Sequence, residues 1–213
     1  MKNSARALRE LKSFVRSIVA ESLGKGKGGN LIIVDVQPEY ASYIKFDVGK
    51  LLREALQYNR ILFLWNGPDL GMSSRDELIS YYGEALDYDE EALEELISRA
   101  TFYDKGYGFF RDLLDHPCFD HDSVVKIVKY MLENDIRDIK DLSEEDIEQI
   151  GVSDLLVEDL EDYGFFVPDL KDVLGRWNGS SIAGGGENEC LAEVEVLADA
   201  MGLNFRRLPH YIY

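Results

Sequence analysis

The chain has 213 residues, 46% of them hydrophobic, and carries a formal net charge of −18 at pH 7. That length and apolar share suit a folded α/β domain and exclude a disordered chain, and so acidic a surface argues against nucleic-acid and anionic membrane partners. No run of about 18 apolar residues is present, so no membrane-spanning helix is expected.

Residues 4–22 place Leu8, Leu11, Val15, Ile18 and Val19 at helical spacing with charges between them, which predicts an amphipathic helix free to dock or to pair in a homo-oligomer. Those charges also interrupt any signal-peptide core. With two cysteines, Cys118 and Cys190, free thiols in a reducing cytoplasm are the expectation. A glycine-rich connector, 24–29, follows. Residues 1–29 are therefore read as a helix plus linker, and 30–213 as the main domain.

Leu31-Ile32-Ile33-Val34 is a continuous apolar run, the pattern of a strand buried on both faces of a parallel sheet, and it ends at Asp35. A helix is predicted over 48–58. Ile61 to Trp65 forms a second buried strand, stopped by Asn66-Gly67-Pro68. Residues 75–98 read as acidic helix with a break near Gly83, and the run 87–95 as a solvated face. Ala100 to Tyr103 is a third strand that ends at Asp104-Lys105-Gly106. Residues 111–178 break this rhythm and read as an acidic, mostly helical insertion, a lid or an assembly surface. It holds a helix from Asp122 to Glu133 and a start signal at Ser143 with Asp146 three residues on. Ser181 to Ala183 is a further strand, followed by a glycine turn and a helix over 190–201. Gly202 stands where a C-cap glycine belongs, and 204–208 is the last strand. Strands alternating with helices predict a three-layer α/β fold, mostly parallel, with helices on both sheet faces.

In an open parallel sheet, ligands bind outside the carboxyl ends of the strands. Asp35, Lys105 and Cys190 all fall at that edge, and Cys190 sits at the first turn of a helix, where free N–H groups favour a thiolate nucleophile. A carboxylate, an amine and a thiol together suit acyl transfer. Other readings stand beside this one. Cys190 as a buried structural thiol is one. The triplet Gly184-Gly185-Gly186 as a phosphate cradle is another, although Glu187 and Glu189 oppose an anion there. His116, Asp120, His121 and Asp122 match no zinc spacing and read as loop residues before a helix.

Three segments, Val34-Asp35-Val36-Gln37, Lys105-Gly106-Tyr107-Gly108-Phe109-Phe110 and Gly184-Gly185-Gly186-Glu187-Asn188-Glu189-Cys190, resemble the signature segments of the isochorismatase-like cysteine hydrolases, in the same order along the chain. The resemblance covers about residues 30–110 and 180–208. It implies a hydrolase of a small amide or related C–N bond, with Cys190 as nucleophile, Asp35 as base and Lys105 orienting Asp35. It further implies an oxyanion hole from the Gly186 and Cys190 amides, aimed by a cis peptide between Gly185 and Gly186. Gln37, Tyr107, Phe110 and Glu187 become candidate pocket walls. The chain departs from the family at Glu187, where threonine is usual, and at 66–71, which lacks the histidines of the metal-binding members. No metal and no cofactor is therefore expected, and the partner is a small-molecule substrate. Glu187 and Glu189 raise the thiol pKa while Lys105 and the helix N-terminus lower it, and the sum stays open. Glu187 and the acidic insertion also suit a second function, a catalytically inactive scaffold of the same fold with a binding or assembly role.

Overall fold

The computed structural model describes residues 28–106, 110–115, 119–152 and 169–213. The expected N-terminal helix, Tyr107, Phe109, His116 and Cys118 lie outside the described residues. Five strands form one all-parallel sheet: β1 (Asn30–Val34), β2 (Arg60–Trp65), β3 (Ala100–Asp104), β4 (Ser181–Gly184) and β5 (Arg206–Arg207), in the order β3-β2-β1-β4-β5. The apolar run 31–34 takes the central place and 61–65 the place beside it, each bonded on both edges. The last strand is shorter than the expected 204–208.

Alternate residues of these strands enter two hydrophobic clusters, as the two-residue side-chain period requires. Ile32, Val34, Leu62, Leu64 and Ile182 pack with Val124, Ile127, Val128 and Met131 of α5 (His121–Glu133) and with Leu191, Val194 and Leu197 of α8 (Cys190–Ala200). Leu31, Ile33, Ile61, Phe63 and Ala183 pack with Leu51, Leu52 and Ala55 of α1 (Val48–Ala55), with Leu78 and Tyr82 of α2 (Arg75–Ala85), and with Leu96 of α3 (Glu90–Arg99). The stretch expected as an insertion thus supplies core residues: Leu113 of α4 (Arg111–Leu114), Leu170 and Leu174 of α7 (Leu170–Leu174) and Trp177 join the first cluster, beside Phe110 just before α4.

Local signals explain the boundaries. Ser74 and Glu77 form a reciprocal capping box at the start of α2, and Ser143 with Asp146 does the same for α6 (Glu144–Ile150), as its sequence predicts. The break in the acidic helix falls at Asp87 and Tyr88, both at positive φ, and not at Gly83, which α2 accommodates. Gly202, at φ +68°, follows α8 as a helix-ending glycine. Gly184 ends β4 at φ +78°, where a Cβ would strike the Val34 carbonyl of the neighbouring strand. Only glycine lets β4 approach β1 so closely.

Candidate active site

The strand order reverses beside β1: the chain moves outward through β2 and β3 on one side, then returns to β4 and β5 on the other. A crevice for ligands opens at such a switch point. Asp35 stands at the end of β1 and the turn 184–190 at the end of β4, so the two segments flank that crevice.

Asp35 leaves the strand at φ +50°, a left-handed conformation that Asp tolerates better than most residues. Its N–H donates to the Leu64 carbonyl at 2.8 Å, and its own carbonyl accepts from Gln37 N–H and Tyr213 Oη–H, each at 3.1 Å. These bonds hold a fully buried carboxylate in place. From the end of β3, Lys105 reaches across the tip of β2. Its Nζ lies 3.0 Å from Asp35 Oδ2, with both side chains wholly inaccessible, and it donates to Asn66 Oδ1 at 3.1 Å. The Asp35 carboxylate thus meets Lys105 as an ion pair and has the Cys190 thiol as its other close polar neighbour.

Cys190 opens α8, is 6% exposed, and is a free thiol. Burial pushes its pKa well above the ordinary value, the adjacent Asp35 pushes it further, and Lys105 opposes both. Desolvation is thus the largest influence on the sulfur, ahead of any surface glutamate, and it favours the thiol form, beside Asp35. Burial likewise raises the Asp35 carboxyl, against the pull of Lys105 and of the thiol. Burial disfavours the charge on Lys105, but the attraction of Asp35 outweighs it and the ammonium pKa is raised.

The turn before Cys190 corrects one expectation. No peptide bond among the described residues is cis, so Gly185–Gly186 is trans. The chain turns instead through consecutive left-handed glycines, Gly184 at φ +78° and Gly185 at φ +69°. The Gly186 carbonyl is taken by Glu189 N–H at 3.0 Å and Leu191 N–H at 3.2 Å. The Gly186 and Cys190 amides donate to no backbone carbonyl among the described residues; for Cys190 this is the usual state of a first-turn helix amide. Both residues line the cavity described below.

Comparison with family models, with curated proteins and with solved structures finds no match to this chain. The site is therefore read from its own geometry.

A cavity of about 610 Å³ opens over the sulfur, lined by Tyr40, Tyr43, Arg111, Gly186, Glu187, Cys190 and Tyr213 among others. Glu187 does line it, but its carboxylate turns to Arg207 at 3.2 Å, and Glu189 pairs with Arg111 at 3.0 Å. Both acids are thereby drawn toward cations rather than left beside the thiol. Two expected walls lie elsewhere. Gln37 is fully buried. Its Oε1 accepts from Asn66 N–H at 3.0 Å while its Nε2 donates to the Asn66 carbonyl at 3.3 Å and to Glu39 at 2.9 Å, so it clamps the end of β2 and does not face the cavity. Phe110 is also fully buried, in the core, with its N–H donating to Glu193 Oε1 at 2.7 Å. At the start of α5, Asp120 caps the helix by accepting from Ser123 N–H at 2.8 Å, and His121, its first residue, contacts Asp199 at 3.0 Å.

Sequence reasoning passed over Asn66, Tyr40, Glu193 and Tyr213. Asn66 stands at the end of β2, on the same rim as the triad, and that same topology points to it. Glu193 is an acid one turn beyond Cys190 on an otherwise apolar helix face, and it is 1% exposed. Burial raises its pKa, against the Phe110 N–H and Lys105. Nothing in the pattern marks Tyr213, which joins the site through long-range backbone bonds to Gly185 at 3.2 Å and Glu187 at 2.8 Å.

Proposed function

We infer that the protein is an isochorismatase-like cysteine hydrolase that cleaves a small amide or related C–N bond. The observation that carries this reading is a thiol at a helix start, on the floor of a cavity, facing a buried carboxylate that an equally buried lysine holds 3.0 Å away. In this reading Cys190 Sγ attacks the acyl carbon as its proton passes to Asp35, so no free thiolate need accumulate. The acyl oxygen takes the developing charge against the Gly186 and Cys190 amides, each donor contributing about 3 kcal/mol to barrier lowering. The proton returns to the leaving nitrogen, which departs as ammonia or an amine. Asp35 then accepts a proton from water, whose oxygen attacks the thioester and releases the acid and the Cys190 thiol. Lys105 keeps Asp35 oriented throughout. The helices packed on the two core clusters are read as the outer layers of a three-layer hydrolase fold, with 111–178 elaborating one of them, and a cytoplasmic setting suits the thiol.

The test is a panel of small primary amides and N-carbamoyl compounds, scored by amine or ammonia release and by acyl adducts on the Cys190 peptide. Turnover that disappears in Cys190→Ala and falls about 100-fold or more in Asp35→Asn is expected. Absence of release and of adduct across the panel, with Cys190 reacting identically in Asp35→Asn, would sink the hydrolase and favour the inactive scaffold.

A further inference from the structure

Hydrogen-bond direction around Asn66 specifies what the cavity offers a ligand. An ammonium can only donate. Lys105 Nζ donates to one end of the Asn66 side chain at 3.1 Å, so that end is the oxygen. The other end is therefore the amide nitrogen, and it donates to Tyr40 Oη at 2.8 Å. Tyr40 must accept this bond, which leaves its own proton uncommitted, and it donates to no described residue. The phenol lines the same cavity as Cys190. The other cavity tyrosines differ: Tyr213 spends its proton on the Asp35 carbonyl at 3.1 Å, and Tyr43 is 64% exposed.

The Tyr40 donor is also rigidly placed. A single 3-10 turn, Pro38–Tyr40, sets its backbone, with Tyr40 N–H donating to the Gln37 carbonyl at 3.1 Å. The buried Gln37 side chain fixes the Asn66 peptide from both sides. Lys105, Asn66 and Tyr40 thus form a chain of donors all running one way, from the ion pair into the cavity. Such chains polarise each link toward the next.

We propose that Tyr40 is a specificity-determining residue that donates its hydroxyl proton to the bound molecule, selecting compounds with an oxygen or nitrogen acceptor on the group attached to the carbon that meets Cys190. This deepens the hydrolase reading and rests on it only in placing the ligand over the sulfur. Two alkylating agents of matched shape test it without turnover. Chloroacetamide carries a carbonyl acceptor beside the reacting carbon, and methallyl chloride carries none. The rate ratio of the two at the Cys190 peptide, followed by mass spectrometry at one pH, cancels the thiolate fraction. Tyr40→Phe removes the donor. Asn66→Asp keeps the phenol but gives it a carboxylate acceptor, which captures the proton. Both variants, checked for a native melting transition, are expected to lower the ratio by about three- to tenfold, the worth of one hydrogen bond. A wild-type ratio in either variant overturns the proposal. Failure of the amide panel with a lowered ratio would count against hydrolysis and leave the Tyr40 donor standing.

Discussion

Neutralising the two halves of the buried pair, singly and together, tests the centre of the site. Two unit charges 3.0 Å apart attract by about 5–6 kcal/mol at an effective dielectric of about 20. Removing each ion from water costs several kcal/mol, so the intact pair is close to neutral for stability, whereas either member alone is a stranded charge. Asp35→Asn is the suitable change on one side, because asparagine also tolerates the left-handed backbone at φ +50°. Lys105→Met keeps the aliphatic arm on the other. Each single variant is expected to lose about 3–5 kcal/mol of unfolding free energy, and the double variant clearly less than their sum. The assay is urea denaturation at pH 7 for all four proteins, read as a double-mutant cycle. Single losses that simply add, leaving a coupling below about 0.5 kcal/mol, would refute the claim that these groups meet away from water.

Two further outcomes follow from the same cluster. Alkylation of Cys190 by iodoacetamide, followed against pH, has a midpoint well above that of an ordinary thiol, raised by burial and then by Asp35; Asp35→Asn should move it down by about one unit or more and Lys105→Met should move it up, and an unmoved midpoint in both would refute the electrostatic assignment. Glu193 binds its proton more tightly in the folded chain than its ordinary pKa of 4.5 allows. Its contribution to stability therefore falls as pH rises from about 4.5 through the raised value. Glu193→Gln keeps the acceptor for Phe110 N–H and should lessen the loss of stability between pH 4.5 and pH 8 in paired urea titrations; an equal loss in both proteins would show that the acid is not desolvated.

The parallel sheet was legible because its central strands are buried on both faces, which writes unbroken apolar runs at 31–34 and 61–65. The rim positions of Asp35, Lys105 and Cys190 followed from strand ends alone, since a parallel sheet puts all carboxyl ends on one side. Which side chains then turn toward the cavity was not legible. Gln37 and Phe110 lie in candidate motifs yet face inward, because the Asn66 peptide and the Glu193 carboxylate offer them buried partners. The role of 111–178 was obscured by its surface charge: α5 is acidic and basic outside while Val124, Ile127, Val128 and Met131 seal the sheet. Tyr213 enters through bonds to backbone atoms, which no pattern of residue types encodes.

The pairing of β1 with β4 has a consequence for how reactivity appears during folding. These neighbours lie about 150 residues apart in the chain, and Val34 meets Gly184 only when this long-range ladder has closed. Closing so long a loop costs more chain entropy than closing the local pairs, so this ladder is expected to form after them. A half-formed molecule therefore has an unshielded, ordinary sulfur and no base to serve it, and both properties change together when β4 docks. Trapping the accessible sulfur during refolding would then clock that docking step directly.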